Sequence, residues 1–319
     1  MLNLELRRAT YSGSAPYLLI LLLFIIGCSQ VLTADSPSQG SDGLSEYFIS
    51  PEICKDGAGP NCTQLRLGDS QLTTLAPERG KLYACMPGNV GAPGSNRSKI
   101  TWIDEANSTW NLLGKPFLPG GSFSPPIGTS NVIESGANRT ISGNSLPVDG
   151  KIGDWPMTDY SALTAIDGNP GIPAENNFSF TLQLNPTEAA TPSCVSLGPI
   201  GITLNGVVFY DAVDGRGNDA LAHEIVDVYG GHPARSDYHY HFVPFRLDGV
   251  PSLEGGHSGL VGYIRDGFGI YGYKGIGGTE LSNDDLDECH GHSHTPIGYH
   301  YHGTIEYPYT IGCYRGTPI

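Results

Sequence analysis

The string Tyr-His-Tyr-His occurs twice in this chain, at residues 238–241 and again at 299–302. That repetition restricts the fold more than any other feature of the sequence. Successive side chains of a strand point to opposite faces. One copy therefore sets His239 and His241 on one face and Tyr238 and Tyr240 on the other. The second copy does the same with His300 and His302 against Tyr299 and Tyr301. Alternate strand residues lie about 6.5–7 Å apart, a gap that two imidazoles close around one metal ion. All ten histidines fall between His223 and His302.

The repetition reaches beyond the string. Asp227, Gly231 and His232 precede the first copy as Asp287, Gly291 and His292 precede the second. Further upstream, Gly201 aligns with Gly262, and Asn205 to Tyr210 align with Asp266 to Tyr271. The offset stays at 60 or 61, which reads as an internal duplication of about 60 residues, with repeats at about 199–258 and 260–319. Two copies are too few for a solenoid. The expectation is two halves about a pseudo-two-fold axis, each contributing three histidines.

Composition sets the fold class. The chain holds 44 glycines and 24 prolines, and Lys115 to Asn131 alone contains Pro116, Pro119, Pro125 and Pro126. Such punctuation leaves no room for long helices. Alternation is cleanest at Phe178, Phe180, Leu182 and Leu184; further strands are expected over Ile200–Leu204, Gly206–Tyr210, Gly259–Ile264 and Phe268–Tyr273. Helical signals are short: a capped turn entered at Ser282, and a turn or two within Ala220–Val228. The reading is a mainly β protein, a sandwich or barrel-like body with few short helices.

At the N-terminus, Arg7 and Arg8 precede an apolar run from Tyr17 to Ile26 that closes on Ile25-Ile26-Gly27-Cys28. A basic start and a run too short to span a bilayer describe a secretory signal. The close resembles a bacterial lipobox, in which Cys28 becomes lipidated; the alternative is plain signal cleavage, which the sequons at Asn61, Asn96, Asn107, Asn138 and Asn177 would suit. The domain reading is a signal peptide of probable lipoprotein type over 1–28 and a flexible tether over 29–46. A Gly/Pro-rich β region over 47–129 and a histidine-bearing domain over 130–319 follow. The location expected is secreted or cell-envelope anchored, with membrane contact only through the N-terminal lipid or signal. A net charge of −15 repels nucleic acid and attracts cations.

Apart from Cys28, six cysteines remain, an even number that suits disulfides in an exported protein. Cys289 and Cys313 are both absent from the first repeat, as bridge partners would be. Pairing them, with Cys54 to Cys62, leaves Cys85 to Cys194. The competing reading makes Cys289 a thiolate ligand beside His290 and His292.

The two strings, with Asp266–Gly272, Leu286–His292 and Tyr307–Gly316, resemble the YHYH domain family. Arg139–Pro147 and Pro199–Val207 are similar to its earlier segments, so the resemblance covers about residues 130–318. It implies an exported domain but no activity. The first repeat departs from the cysteine-containing form, carrying Tyr229 where the second has Cys289.

The functional expectation is an exported, surface-anchored metal-binding protein. Its ligands are His239, His241, His300 and His302, joined by His232 and His292. Asp227 and Asp287 orient imidazoles or ligate directly, and Tyr238, Tyr240, Tyr299 and Tyr301 line a pocket. Copper or zinc suits imidazole best, with iron possible. Calcium is a weaker expectation, at Asp214–Leu221 or among Asp284, Asp285, Asp287 and Glu288. His223, His257, His290 and His294 break the repeat symmetry and read as accessory or surface residues. Two alternatives differ in class: a metal-dependent enzyme, hydrolytic or copper-oxidative, and a structural or adhesive module whose histidines are hydrogen-bonded core residues. Protein partners are not legible.

Overall fold

The computed structural model describes residues 44, 47, 48, 54, 60–121, 128–169, 171–245, 247 and 252–319. The expected signal segment, Cys28 and, but for Leu44, the tether lie outside them. Among the described residues no helix is long and apolar enough to cross a membrane.

Between residues 60 and 121 the chain makes only two-residue strands: β1 (Leu65–Arg66), β2 (Leu72–Thr73), β3 (Leu82–Tyr83), β4 (Ile103–Asp104) and β5 (Thr109–Trp110). They form a three-stranded sheet, β1-β5-β4, and a β2-β3 pair. Dense glycine and proline prevent longer ladders here. Leu65, Leu82, Trp110 and Leu112 are nonetheless buried in the main core.

A second three-stranded sheet orders β6 (Ser130–Ser135), β7 (Asn138–Gly143) and β8 (Phe178–Gln183). In β8, Leu182 is buried and Phe178 and Phe180 half-buried, while Ser179, Thr181 and Gln183 are exposed. The alternation seen in the sequence is thus the inner and outer face of a strand. Beside several 3-10 turns run two short α-helices, α1 (Ser161–Ile166) and α2 (Ala220–His223).

The largest sheet has eight strands: β9 (Pro199–Thr203), β10 (Val208–Tyr210), β11 (Gly231–Ala234), β12 (Asp237–Tyr240), β13 (Leu260–Ile264), β14 (Gly269–Tyr271), β15 (Gly291–His294) and β16 (Gly298–His302). Their order is β11-β12-β10-β9-β13-β14-β16-β15. Outward from the central antiparallel pair β9–β13, both halves repeat one scheme. β10 is antiparallel to β9 and parallel to β12, which is antiparallel to β11. Likewise β14 is antiparallel to β13 and parallel to β16, which is antiparallel to β15. The registers correspond as well: Phe209 pairs with Tyr240 as Ile270 pairs with Tyr301.

Ile141 and Leu182 from the three-stranded sheet meet Ile202 and Val208 from the large one in a buried apolar cluster, so these sheets form two layers. Each such fully buried side chain contributes about 1.5–3 kcal/mol. Of the two architectures expected, the barrel is not formed: the large sheet is open, with β11 and β15 at its edges.

Three disulfides join Cys54 to Cys62, Cys85 to Cys194 and Cys289 to Cys313. Cys289 is therefore a bridge residue and not a thiolate ligand.

Candidate functional site

Both histidine strings lie on hairpins, β11–β12 and β15–β16. His232 stands opposite His239 in the first, and His292 opposite His300 in the second. The turns differ by one residue, since β11 and β12 are joined by Arg235 and Ser236, but β15 and β16 by Thr295, Pro296 and Ile297. That extra residue is where the sequence offset changes from 60 to 61.

The spacing Asp-x-x-x-Gly-His has a packing reason. A Cβ placed on Gly231 would fall 2.2 Å from Cζ of Tyr238, and one on Gly291 would fall 2.4 Å from Oη of Tyr299. Only glycine leaves room for the ring. The phenol then reaches the aspartate: Tyr238 donates to Asp227 at 2.8 Å, and Tyr299 donates to Asp287 at 3.1 Å. The second tyrosine of each string is tied at matching positions. Asn205 donates to Tyr240 at 3.2 Å, and Tyr301 donates to Asp266 at 2.5 Å.

These bonds revise two expectations. Asp227 accepts from Tyr238, Trp155 and the amides of Gly153, Tyr229 and Gly231. Asp287 accepts from Tyr299 and the amides of Cys289 and Gly291. Both carboxylates are committed to tyrosines and main chain, and neither holds an imidazole. Tyr238, Tyr240 and Tyr301 are buried core residues, which strand alternation itself requires once the histidines take the other face. Tyr299 alone of the four lines a recess, of about 340 Å³, beside His300.

The imidazoles are oriented by carbonyls. His239 Nδ1 donates to the Asp237 carbonyl at 2.8 Å and His241 Nδ1 to that of Asp211. In the second hairpin, His300 Nδ1 donates to Gly298 at 2.8 Å and His302 Nδ1 to Gly272 at 2.6 Å. His257 Nδ1 donates to Ser258 at 2.6 Å. With a carbonyl as partner, Nδ1 must carry the proton, leaving Nε2 with a bare lone pair.

Those lone pairs converge, joined by the Nε2 atoms of His292 and of His232, whose buried Nδ1 has no partner among the described residues. Among the described residues His232, His239 and His241 form one group, and His257, His292, His300 and His302 another. His241 Nε2 lies 3.1 Å from Nε2 of both His239 and His232. His300 Nε2 lies 3.1 Å from His302, 3.2 Å from His292 and 3.3 Å from His257. Tetrahedral coordination with metal–nitrogen bonds of about 2.0–2.1 Å sets neighbouring nitrogens roughly 3.3 Å apart. Burial pushes His241 down to about 4 and His300 down to about 3, so the rings stay neutral, the form that ligates.

All six histidines expected as ligands fall into these two groups. The sequence reading missed two residues. His257, a strand-free residue before β13, supplies a fourth imidazole to the second group. It lies within the first repeat, and the matching positions of the second are Thr317 and Pro318, so the repeat offered no signal. Glu224, directly after α2, brings Oε2 to 3.5 Å from His232 and 3.8 Å from His241. It is held there because Asp219 caps α2 by accepting from the Ala222 amide, and Lys115 donates to the Glu224 carbonyl at 2.7 Å. No sequence signal singled out Glu224, since its proximity to β11 is set by long-range packing.

The remaining histidines stand apart or at the margin. His223 bonds Asp69 at 3.0 Å, and buried His290 bonds Thr304 at 3.0 Å. The His294 ring lies 4.7 Å from that of His300 without joining the convergent set. The first group opens onto a cavity of about 680 Å³, where Tyr210 stacks on His239 with ring centroids 3.9 Å apart.

Residues 179–281 match the model of the YHYH protein family. The chain carries a YHYH segment. It runs from β8 through the whole first histidine group and past His257, and stops before the second string; this is narrower than the span over which the motifs resemble the family. No curated protein and no solved structure matches the chain. The three disulfides and the YHYH match are consistent with an extracytoplasmic protein.

Proposed function

We propose that this YHYH protein is an extracytoplasmic transition-metal-binding protein with two separate imidazole centres. One observation carries the reading: several Nε2 lone pairs face one another at 3.1–3.3 Å while their Nδ1 protons are given to carbonyls. Apposed lone pairs repel, and burial removes the water that would separate them. A cation at the point of convergence turns that repulsion into coordination. The carbonyl bonds are the outer contacts that fix ring orientation at metal sites.

The donor set favours copper or zinc, with iron next. Calcium takes oxygen ligands, and three of the carboxylates considered for it, Asp214, Asp285 and Asp287, have other work. Asp214 accepts the amides of Arg216 and Asn218 in a tight turn. Asp285 closes a capping box with Ser282.

The test is elemental analysis of the protein purified without a histidine tag, beside His239→Ala/His241→Ala. Copper, zinc or iron at up to two equivalents, reduced by one in the variant, is the expected result. No bound metal and no uptake on titration leaves the reading of hydrogen-bonded core histidines in its place.

A further inference from the structure

The two centres differ in what completes them. The second gathers four imidazoles, enough to close a tetrahedron; the first gathers three and faces a cavity. Closed four-ligand sites hold metal, whereas three protein ligands leave a position for water or substrate. Where the second centre receives His257, the first has the carboxylate of Glu224.

The first centre's surroundings restrict what enters. Its cavity of about 680 Å³ is in the range that takes a small molecule. Asp167, Asp211, Asp214 and Glu224 line it together with Arg235. Three of these carboxylates are bound to main chain: Asp167 accepts from Asn169 and Ile225, Asp211 from Gly198 and Val213, and Asp214 from Arg216 and Asn218. Glu224 is the exception among them. No amide donates to its carboxylate among the described residues, and its near neighbours are the Nε2 atoms of His232 and His241. A carboxylate so placed would stand beside any water carried by a metal held at the three imidazoles.

We propose that the first centre hydrolyses small carboxylic esters, with Glu224 as proton acceptor and then donor. This rests on the metal reading above. One O–H bond of the water breaks, its proton passing to the Glu224 carboxylate. The water oxygen forms a bond to the ester carbonyl carbon, and the bond from that carbon to the alcohol oxygen breaks. Glu224 returns the proton to the departing oxygen, giving an acid and an alcohol with no change of oxidation state. Metal at the three imidazoles supplies the acidification of water and the polarisation of the carbonyl; Tyr210, stacked on His239, forms one wall of the cavity.

The experiment uses the full chain reloaded with zinc, 4-nitrophenyl acetate as probe, and Glu224→Gln. Glu224→Gln is expected to keep its zinc and to lose about 100-fold of the zinc-dependent acetate rate. If wild type takes up no zinc, the metal reading itself fails. If zinc is bound but Glu224→Gln hydrolyses the acetate as fast as wild type, only the hydrolytic inference fails. Loss of one zinc equivalent in Glu224→Gln makes Glu224 a fourth ligand, closes the site and overturns the inference. Circular dichroism of the variant separates misfolding from ligand loss, and Glu224→Asp, with a shorter carboxylate, then repeats the rate comparison in a folded protein.

Discussion

The ring of Tyr238 lies against the main chain of Gly231, so close that a methyl group on that glycine would meet Cζ at 2.2 Å. The contact aligns β11 with β12 and so sets His232 opposite His239. Gly231→Ala forces the ring out of the core. A loss of about 1–3 kcal/mol, the usual cost of overpacking, is expected in chemical denaturation, together with weaker metal uptake at the first centre only.

Tyr238→Phe keeps the ring and removes one of several donors to Asp227. The expected cost is about 1 kcal/mol, with metal content unchanged. Asp227→Ala strands Tyr238, Trp155 and three amides at once, and should cost several times as much. If Tyr238→Phe instead abolished metal binding while folding normally, the tyrosines would belong to the site after all.

The centres draw ligands from different hairpins, so they should be separable. His241→Ala is expected to remove one metal equivalent and His302→Ala the other, by elemental analysis. Chelation should lower the melting temperature of wild type, less that of either single variant, and least that of the double variant, because metal bound to the native state stabilises it by mass action.

The bridge from Cys289 to Cys313 ties β15's approach to the C-terminal segment, closing a loop of 24 residues. Replacing both cysteines by alanine should cost about 3 kcal/mol. Because Cys289 precedes His290 and β15, the second centre should loosen before the first, read as faster release of its metal to a chelator.

Lys115 is fully buried beside Trp102 and Phe117. Burial pushes its ammonium down to about 7, against attraction from Asp167 and Glu224. Between that value and 10.5 the unfolded lysine is charged while the folded one is neutral. Unfolding then takes up a proton, so this residue's contribution makes stability rise with pH through the window. Below pH 7 both states are charged and the cost of burying the charge is fully present. Lys115→Met should therefore stabilise most at pH 7 and below, by at most about 5 kcal/mol, less what the Glu224 carbonyl loses with its donor. The advantage should shrink towards pH 10 in urea melts.

Local signals were the readable ones. Alternation exposed β8, the capping residues exposed the turn at Ser282, and paired absence in one repeat exposed the Cys289–Cys313 bridge. Six of the seven convergent imidazoles were legible from the repeated string: His239, His300 and His302 by strand alternation, His241 just past the end of β12, and His232 and His292 as the histidine that precedes each string. His257 and Glu224 were not, since each arrives from a loop or a helix end, and long-range packing alone decides what it meets. The pocket assigned to the tyrosines failed for a different reason: alternation placed them opposite the histidines, in the core, and that consequence outweighs their chemical appeal near a metal.

Val243, two residues beyond His241, packs its side chain against Gly303, the residue after His302, so tightly that a Cβ there would come within 2.6 Å of it. Tyr273 fastens the same junction by donating to the Val243 carbonyl at 2.5 Å. The two histidine strings thus end on one another. Were metal to shift either strand, this contact is where the other would feel it. Thermodynamic linkage makes the exchange symmetrical: the factor by which the first ion changes affinity for the second is the factor by which the second changes affinity for the first.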